Sequence, residues 1–283
     1  MLKIYIANNS TQTIGGGWTF LSNFKKGAAG KVQFVADWKL CDIYLIMSCS
    51  AADRGEVASA KQAGKKIVLR VDNIPKRSRN KKNPADSLRM FGAMADEVVY
   101  QSEWAKQYAG WITKRRGVVI YNGVDYEHFY FKDNPKDRPE RYLYVSYNTD
   151  ENKRWPEAAY DFHMRFRDNP EIEIWLVGTF GKQTGELLIN DFDFFAGEQY
   201  RYIEPVADRE ALADIMRQCK YFYFPAYNDA SPNSLAEAIA CGCEPLLINP
   251  SGGSQEVYDL FRSRTYSIQT MADKYLAIFN SLT

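Results

Sequence analysis

The 283 residues contain no run of 18 apolar residues, so no membrane-spanning helix is expected. Histidine is scarce, with His128 and His163 the only two. The cysteines Cys41, Cys49, Cys219, Cys241 and Cys243 are odd in number and form no C-x2-C pair. A structural zinc site is therefore not expected, and the thiols point to a reducing, cytoplasmic setting. The opening MLKIYIANNS has too short an apolar stretch for a secretory leader and reads as a first strand. Low-complexity tracts are also missing, which excludes the fibrous and disordered classes.

What is present is a globular composition, 46% hydrophobic and 25% charged, in a length that suits one large domain or two smaller ones. The net charge of +1 hides an asymmetry. Residues 1–137 carry 22 Lys and Arg against 13 Asp and Glu, while residues 138–283 carry 14 against 22. Such a split points to two domains with different partners.

Taken in order, Leu2 to Ala7 alternates into a strand. Gly15-Gly16-Gly17 then opens a helical pattern ending at Gly27. A strand, a glycine turn and a helix form the unit in which backbone can closely approach a phosphate or sugar. Further strands are expected at Val32–Ala36, Asp42–Met47, Lys66–Val71, Glu97–Gln101 and Val118–Tyr121, with helices around Gly55–Ala63, Ala85–Ala95 and Glu103–Trp111. This alternation indicates βαβ units and a parallel sheet, in which ligands bind at the carboxyl ends of the strands. The fourth strand ends in R-V-D-N, with Arg70 and Asp72 at its end. Lys76, Arg77, Arg79, Lys81 and Lys82 follow at once, and read either as a solvated loop or as a contact for an anionic acceptor.

The charged, proline-containing stretch from Lys132 to Glu140 marks a domain boundary, giving domains 1–132 and 141–283. Beyond it the alternation restarts with strands at Tyr142–Ser146, Glu173–Val177 and Tyr202–Val206 and helices at Trp155–Arg167 and Arg209–Gln218. Asp191-Phe192-Asp193 forms a D-x-D triplet, too short a pattern to carry a metal site by itself.

The apolar run from Tyr221 to Pro225 leads into NDASPNSLAEAIACGCEP. Ser231 is the expected N-cap, Pro232 the first helical residue, and Gly242 the end of the helix. First-turn amides at Asn233, Ser234 and Leu235 suit a phosphate. Asp229 and Glu237 bracket this turn with seven residues between them.

This stretch resembles the E-x7-E signature of retaining GT-B glycosyltransferases, family 4 in particular, with Asp229 in place of the first Glu. VVIYNGVDYEHF (Val118 to Phe129) resembles the segment that ends the first domain in that family, and Ser251–Val257 resembles its GGxxEvv segment. The resemblance implies two Rossmann-like domains with parallel sheets facing across a cleft, and metal-independent sugar transfer from a UDP- or GDP-sugar with retention. No cofactor beyond that substrate is implied. Its residues would be Asp72, Lys153, Asp229 and Glu237 for catalysis, and Gly16, Gly17, Lys153, Arg154, Gly178, Asn233, Ser234, Leu235 and Glu237 for the donor. Arg70, Lys76, Arg77 and Arg79 would stand on the acceptor side. Tyr147 or Asn148 stands where the family carries an arginine, and Arg154 is the expected substitute. The acceptor would be a glycan, a lipid-linked or another anionic molecule. Two alternatives remain open: a non-catalytic nucleotide- or glycan-binding protein, and an enzyme acting on nucleic acid through its basic half.

Overall fold

The computed structural model describes residues 1–7, 15–75, 84–147, 150–178 and 200–283. Lys76, Arg77, Arg79, Lys81, Lys82, Asn148 and the D-x-D triplet lie outside them. The contacts divide the chain into two compact units.

The first unit holds Met1–Gly123, Asn228–Ser231 and Tyr266–Thr283. Its strands are β1 (Lys3–Ala7), β2 (Gln33–Phe34), β3 (Ile43–Ile46), β4 (Lys66–Val71), β5 (Glu97–Tyr100) and β6 (Val118–Val119). They form one sheet in the order β2-β1-β3-β4-β5-β6, with parallel neighbours throughout. All four residues of β3 are buried, as are five of the six in β4, as strands covered on both faces must be. The helices are α1 (Gly16–Gly27), α2 (Arg54–Gln62), α3 (Ala85–Met94) and α4 (Glu103–Thr113). Side-chain caps start two of them: Asp53 accepts from the Glu56 amide at 2.8 Å and Ser102 from the Ala105 amide at 3.0 Å.

The second unit holds Val124–Tyr227 and Pro232–Thr265. Its strands are β7 (Arg141–Ser146), β8 (Glu173–Gly178), β9 (Tyr200–Ile203), β10 (Tyr221–Tyr223) and β11 (Glu244–Leu246). They form a second parallel sheet in the order β11-β10-β7-β8-β9. Its helices are α5 (Trp155–Asp168), α6 (Arg209–Arg217), α7 (Asn233–Ala240) and α8 (Ser254–Phe261). The last helix, α9 (Ile268–Leu282), returns to the first unit, which the linear division into 1–132 and 141–283 does not include. There Phe24 of α1 meets Tyr275 and Phe279 of α9 at centroid distances of 5.3 and 6.2 Å. Gly27 allows the close approach, because a Cβ there would lie 2.4 Å from the Ile268 carbonyl oxygen.

Helix α7 starts one residue later than expected. Pro232 is the N-cap, with extended backbone and no side-chain bond to the first turn, so Ser231 does not cap the helix. The other end is as expected, with Gly242 at φ 89° just past the helix. The strand expected at Tyr202–Val206 lies two to three residues earlier, at Tyr200–Ile203.

Candidate functional site

In each sheet the strand order reverses at one place, and in doubly wound sheets the crevice forms at that place, outside the carboxyl ends. For the first sheet it lies between β1 and β3, so the described residues that follow those strands stand near it. Gly15, Gly16 and Gly17 follow the β1 loop, and Gly15 takes φ 128°, a value only glycine adopts readily. A Cβ at Gly17 would meet Met47 Cε at 3.6 Å, an ordinary contact, so the protein's own packing does not demand glycine there.

Beside these residues, Arg70 and Asp72 stand at the end of β4. Arg70 is 1% exposed, which places it in the interior rather than on a surface an acceptor could reach. Its Nη1 donates to the Met47 carbonyl at 3.0 Å, and Nη2 donates to Gln101 Oε1 at 2.6 Å and Asn122 Oδ1 at 3.1 Å. The guanidinium also lies 3.9 Å from the centroid of Phe20. One buried cation thus ties together the carboxyl ends of β3, β4 and β5, the turn after β6 and helix α1. Asp72 Oδ2 is 3.9 Å from Arg70, and a fifth of the Asp72 side chain remains exposed. Burial raises the Asp72 carboxyl above its ordinary range, opposed by the Arg70 charge and a hydrogen bond from Ser48.

For the second sheet the order reverses between β7 and β10. The loops after these two strands are bonded directly, the Tyr227 amide donating to the Asn152 carbonyl at 3.1 Å. Lys153, on the β7 loop, lies with its ammonium 6.0 Å from the Phe224 ring centroid. Arg154 caps α5 in the left-handed region with φ 52°, its guanidinium 5.3 Å from the Tyr227 ring centroid and paired with Glu157. At the end of β8, Gly178 has φ 128°, and a Cβ there would lie 1.8 Å from the Ser146 carbonyl oxygen. No other residue type fits this contact between adjacent carboxyl ends.

Asn233, Ser234 and Leu235 form the first turn of α7, and Glu237 is one turn further on. Glu237 is only 4% exposed, and its Oε1 accepts from Arg209 Nη2 at 2.8 Å. Arg209 opens α6, and its guanidinium lies over the buried ring of Phe129, 4.6 Å from its centroid. Sequence reasoning assigned Arg209 only to an amphipathic helix. Its partner is 28 positions away, and no local spacing announces such a pair. Tyr147 sits in the same locality. Burial and the Glu237 charge push its phenol up to about 12, eased by the Arg209 charge, and its hydroxyl donates to the Val206 carbonyl at 3.2 Å. Of the D-x7-E pair, Asp229 groups with the first unit and Glu237 with the second.

Two parallel α/β sheets of this kind define the fold of GT-B glycosyltransferases. Among solved structures, sucrose-phosphate synthase from Thermosynechococcus elongatus matches with a TM-score of 0.72 at 12% identity, over 100% of this chain and 99% of that one. An E. coli trehalose-6-phosphate structure bound with UDP-2-fluoro glucose matches with a TM-score of 0.62 at 11% identity, over 100% and 95% of the two chains. The pneumococcal O-GlcNAc transferase GtfA in complex with UDP and GlcNAc gives 0.62 at 10% identity, over 85% of this chain and 56% of its own. At these identities the likeness is one of fold. No family model and no curated protein matches the sequence.

Proposed function

We propose that this chain is a glycosyltransferase that moves a sugar from a nucleotide sugar to an acceptor hydroxyl, with retention and without a bound metal. The observation that carries this reading is Glu237: a nearly buried carboxylate one turn into α7, beside the point where the second sheet reverses its order. A carboxylate so placed suits the hydroxyls of a nucleotide ribose, while the first-turn amides of α7 suit the diphosphate. The structures of similar fold support a UDP-sugar in particular, since one is in complex with UDP and GlcNAc and another with UDP-2-fluoro glucose.

In this reading Lys153 and the α7 amides stabilise the charge that grows on the departing diphosphate. The bond between the anomeric carbon and the diphosphate oxygen breaks. The acceptor oxygen bonds the same carbon from the same face, and its proton passes to the leaving group. Asp229 contacts the donor sugar, and Gly16 and Gly17 leave room for a ligand where a side chain would intrude. Asp72 is aimed at the acceptor, and Arg70 positions Asp72 without touching the acceptor itself. Gly178 lets the chain after β8 pass close to β7. The acceptor is a glycan, a lipid-linked or another anionic molecule.

The test is calorimetric titration of UDP and GDP into the wild type and Glu237→Ala. We expect one nucleotide to bind the wild type and the variant to lose affinity by about tenfold or more, as for a hydrogen-bonded charge removed from a buried site. Unchanged affinity in the variant refutes the assignment of Glu237.

A further inference from the structure

A diphosphate at the start of α7 would bring at least two negative charges next to Glu237, itself a nearly buried carboxylate. Such a concentration of one sign requires cations that can reach it. Lys153 is one. Arg154 is engaged by Glu157, one turn along its own helix. Among the described residues Arg209 is a further cation at this place, and it is held by Glu237 Oε1 at 2.8 Å.

Its geometry suits a larger part. Side chains on a helix lean toward its N-terminus, so the Glu237 carboxylate, one turn inside α7, points back toward the first-turn amides. The Arg209 guanidinium bonded to that carboxylate therefore lies within a side-chain rotation of the same amides. Arg209 keeps 29% of its side chain exposed, which leaves it room to turn. Phe129, fully buried beneath it, offers a flat apolar face over which a guanidinium can slide and keep its ring contact.

We propose that Arg209 is a second cation for the donor diphosphate, passing from Glu237 to the β-phosphate when a nucleotide binds and so freeing the carboxylate for the ribose hydroxyls. This rests on the nucleotide-sugar reading given above. It assigns Arg209 a direct contact with the ligand, and it makes Phe129, in the same unit, the surface that guides it.

The experiment compares a nucleoside with its diphosphate. UDP and uridine, or GDP and guanosine if the wild type prefers guanine, are titrated into the wild type, Arg209→Gln and Arg209→Lys. Gln retains a donor for Glu237 and removes the charge. The diphosphate is expected to bind Arg209→Gln about tenfold to a hundredfold more weakly, while nucleoside affinity changes less than about twofold. Lys should recover part of the loss, because a point charge serves phosphate without the fork geometry. Equal losses for nucleoside and diphosphate would overturn the proposal, leaving Arg209 as a holder of Glu237 alone. No loss for either would also overturn it. A wild type that binds neither diphosphate overturns the nucleotide reading itself, whatever the variants do. Unchanged nucleoside binding in Arg209→Gln doubles as proof that the variant is folded.

Discussion

Asp72 shows how a single residue's surroundings set a measurable pH response. Burial raises its carboxyl, and the Arg70 charge and Ser48 oppose that rise. Between the ordinary carboxylate range and the raised value, the folded protein holds a proton that the unfolded chain has released. Stability contributed by Asp72 is therefore present at low pH and declines as pH rises through that interval. Asp72→Asn cannot ionise and escapes the decline. We expect the advantage of wild type over Asp72→Asn, measured by urea unfolding, to be largest near about pH 4 and to narrow toward neutrality, by at most ~1.4 kcal/mol per pH unit. A difference that widens with pH would mean an ordinary salt-bridged carboxylate and contradict this account. At this scale the sequence was partly legible. The α7 helix could be placed from its run of helix formers between Pro232 and Gly242, though not its cap, and Glu237 was singled out by its spacing from Asp229 and by resemblance. Arg209 could not, because its meaning comes from a pairing across 28 residues. Arg70 was assigned to the acceptor side by resemblance, and its burial among Met47, Gln101, Asn122 and Phe20 is likewise a matter of residues distant in the chain.

Among elements, the alternation of strands and helices was readable because parallel strands covered on both faces are continuous apolar runs, as in β3 and β4. Edges were less readable. The β2 and β6 strands are two residues each, shorter than the apolar stretches that announced them, since hydrogen-bond pairing and not hydropathy decides where a strand stops. The closing helix runs from Ile268 after the Ser267 cap, which accepts from the Thr270 amide at 3.2 Å. Its role depends on packing no local pattern encodes. Phe279 is fully buried against Phe24 and Tyr275. Phe279→Ala is expected to destabilise the fold by about 3–5 kcal/mol, the range for removing a buried aromatic ring. Chemical denaturation would measure it, and a loss below ~1 kcal/mol would show that α9 contributes little to the first unit.

For the whole molecule, the two-sheet architecture followed from the repeat of βαβ units on either side of Lys132–Glu140. The crossing of the chain between units did not. It returns to the first unit at Asn228–Ser231 and again at Tyr266, so the signature stretch is divided between the units and the last helix belongs wholly to the first. No helix among the described residues is long and apolar enough to cross a membrane. The central claim concerns what the whole chain does, and donor turnover tests it most directly. Purified wild-type protein is incubated with UDP- and GDP-sugars without acceptor, and release of the free nucleoside diphosphate is followed by mass spectrometry, with Glu237→Ala in parallel. The account predicts slow release from one donor by the wild type, falling by about tenfold or more in the variant, as water replaces the acceptor hydroxyl. Release at the same rate from both proteins, or from neither with every donor, would contradict it.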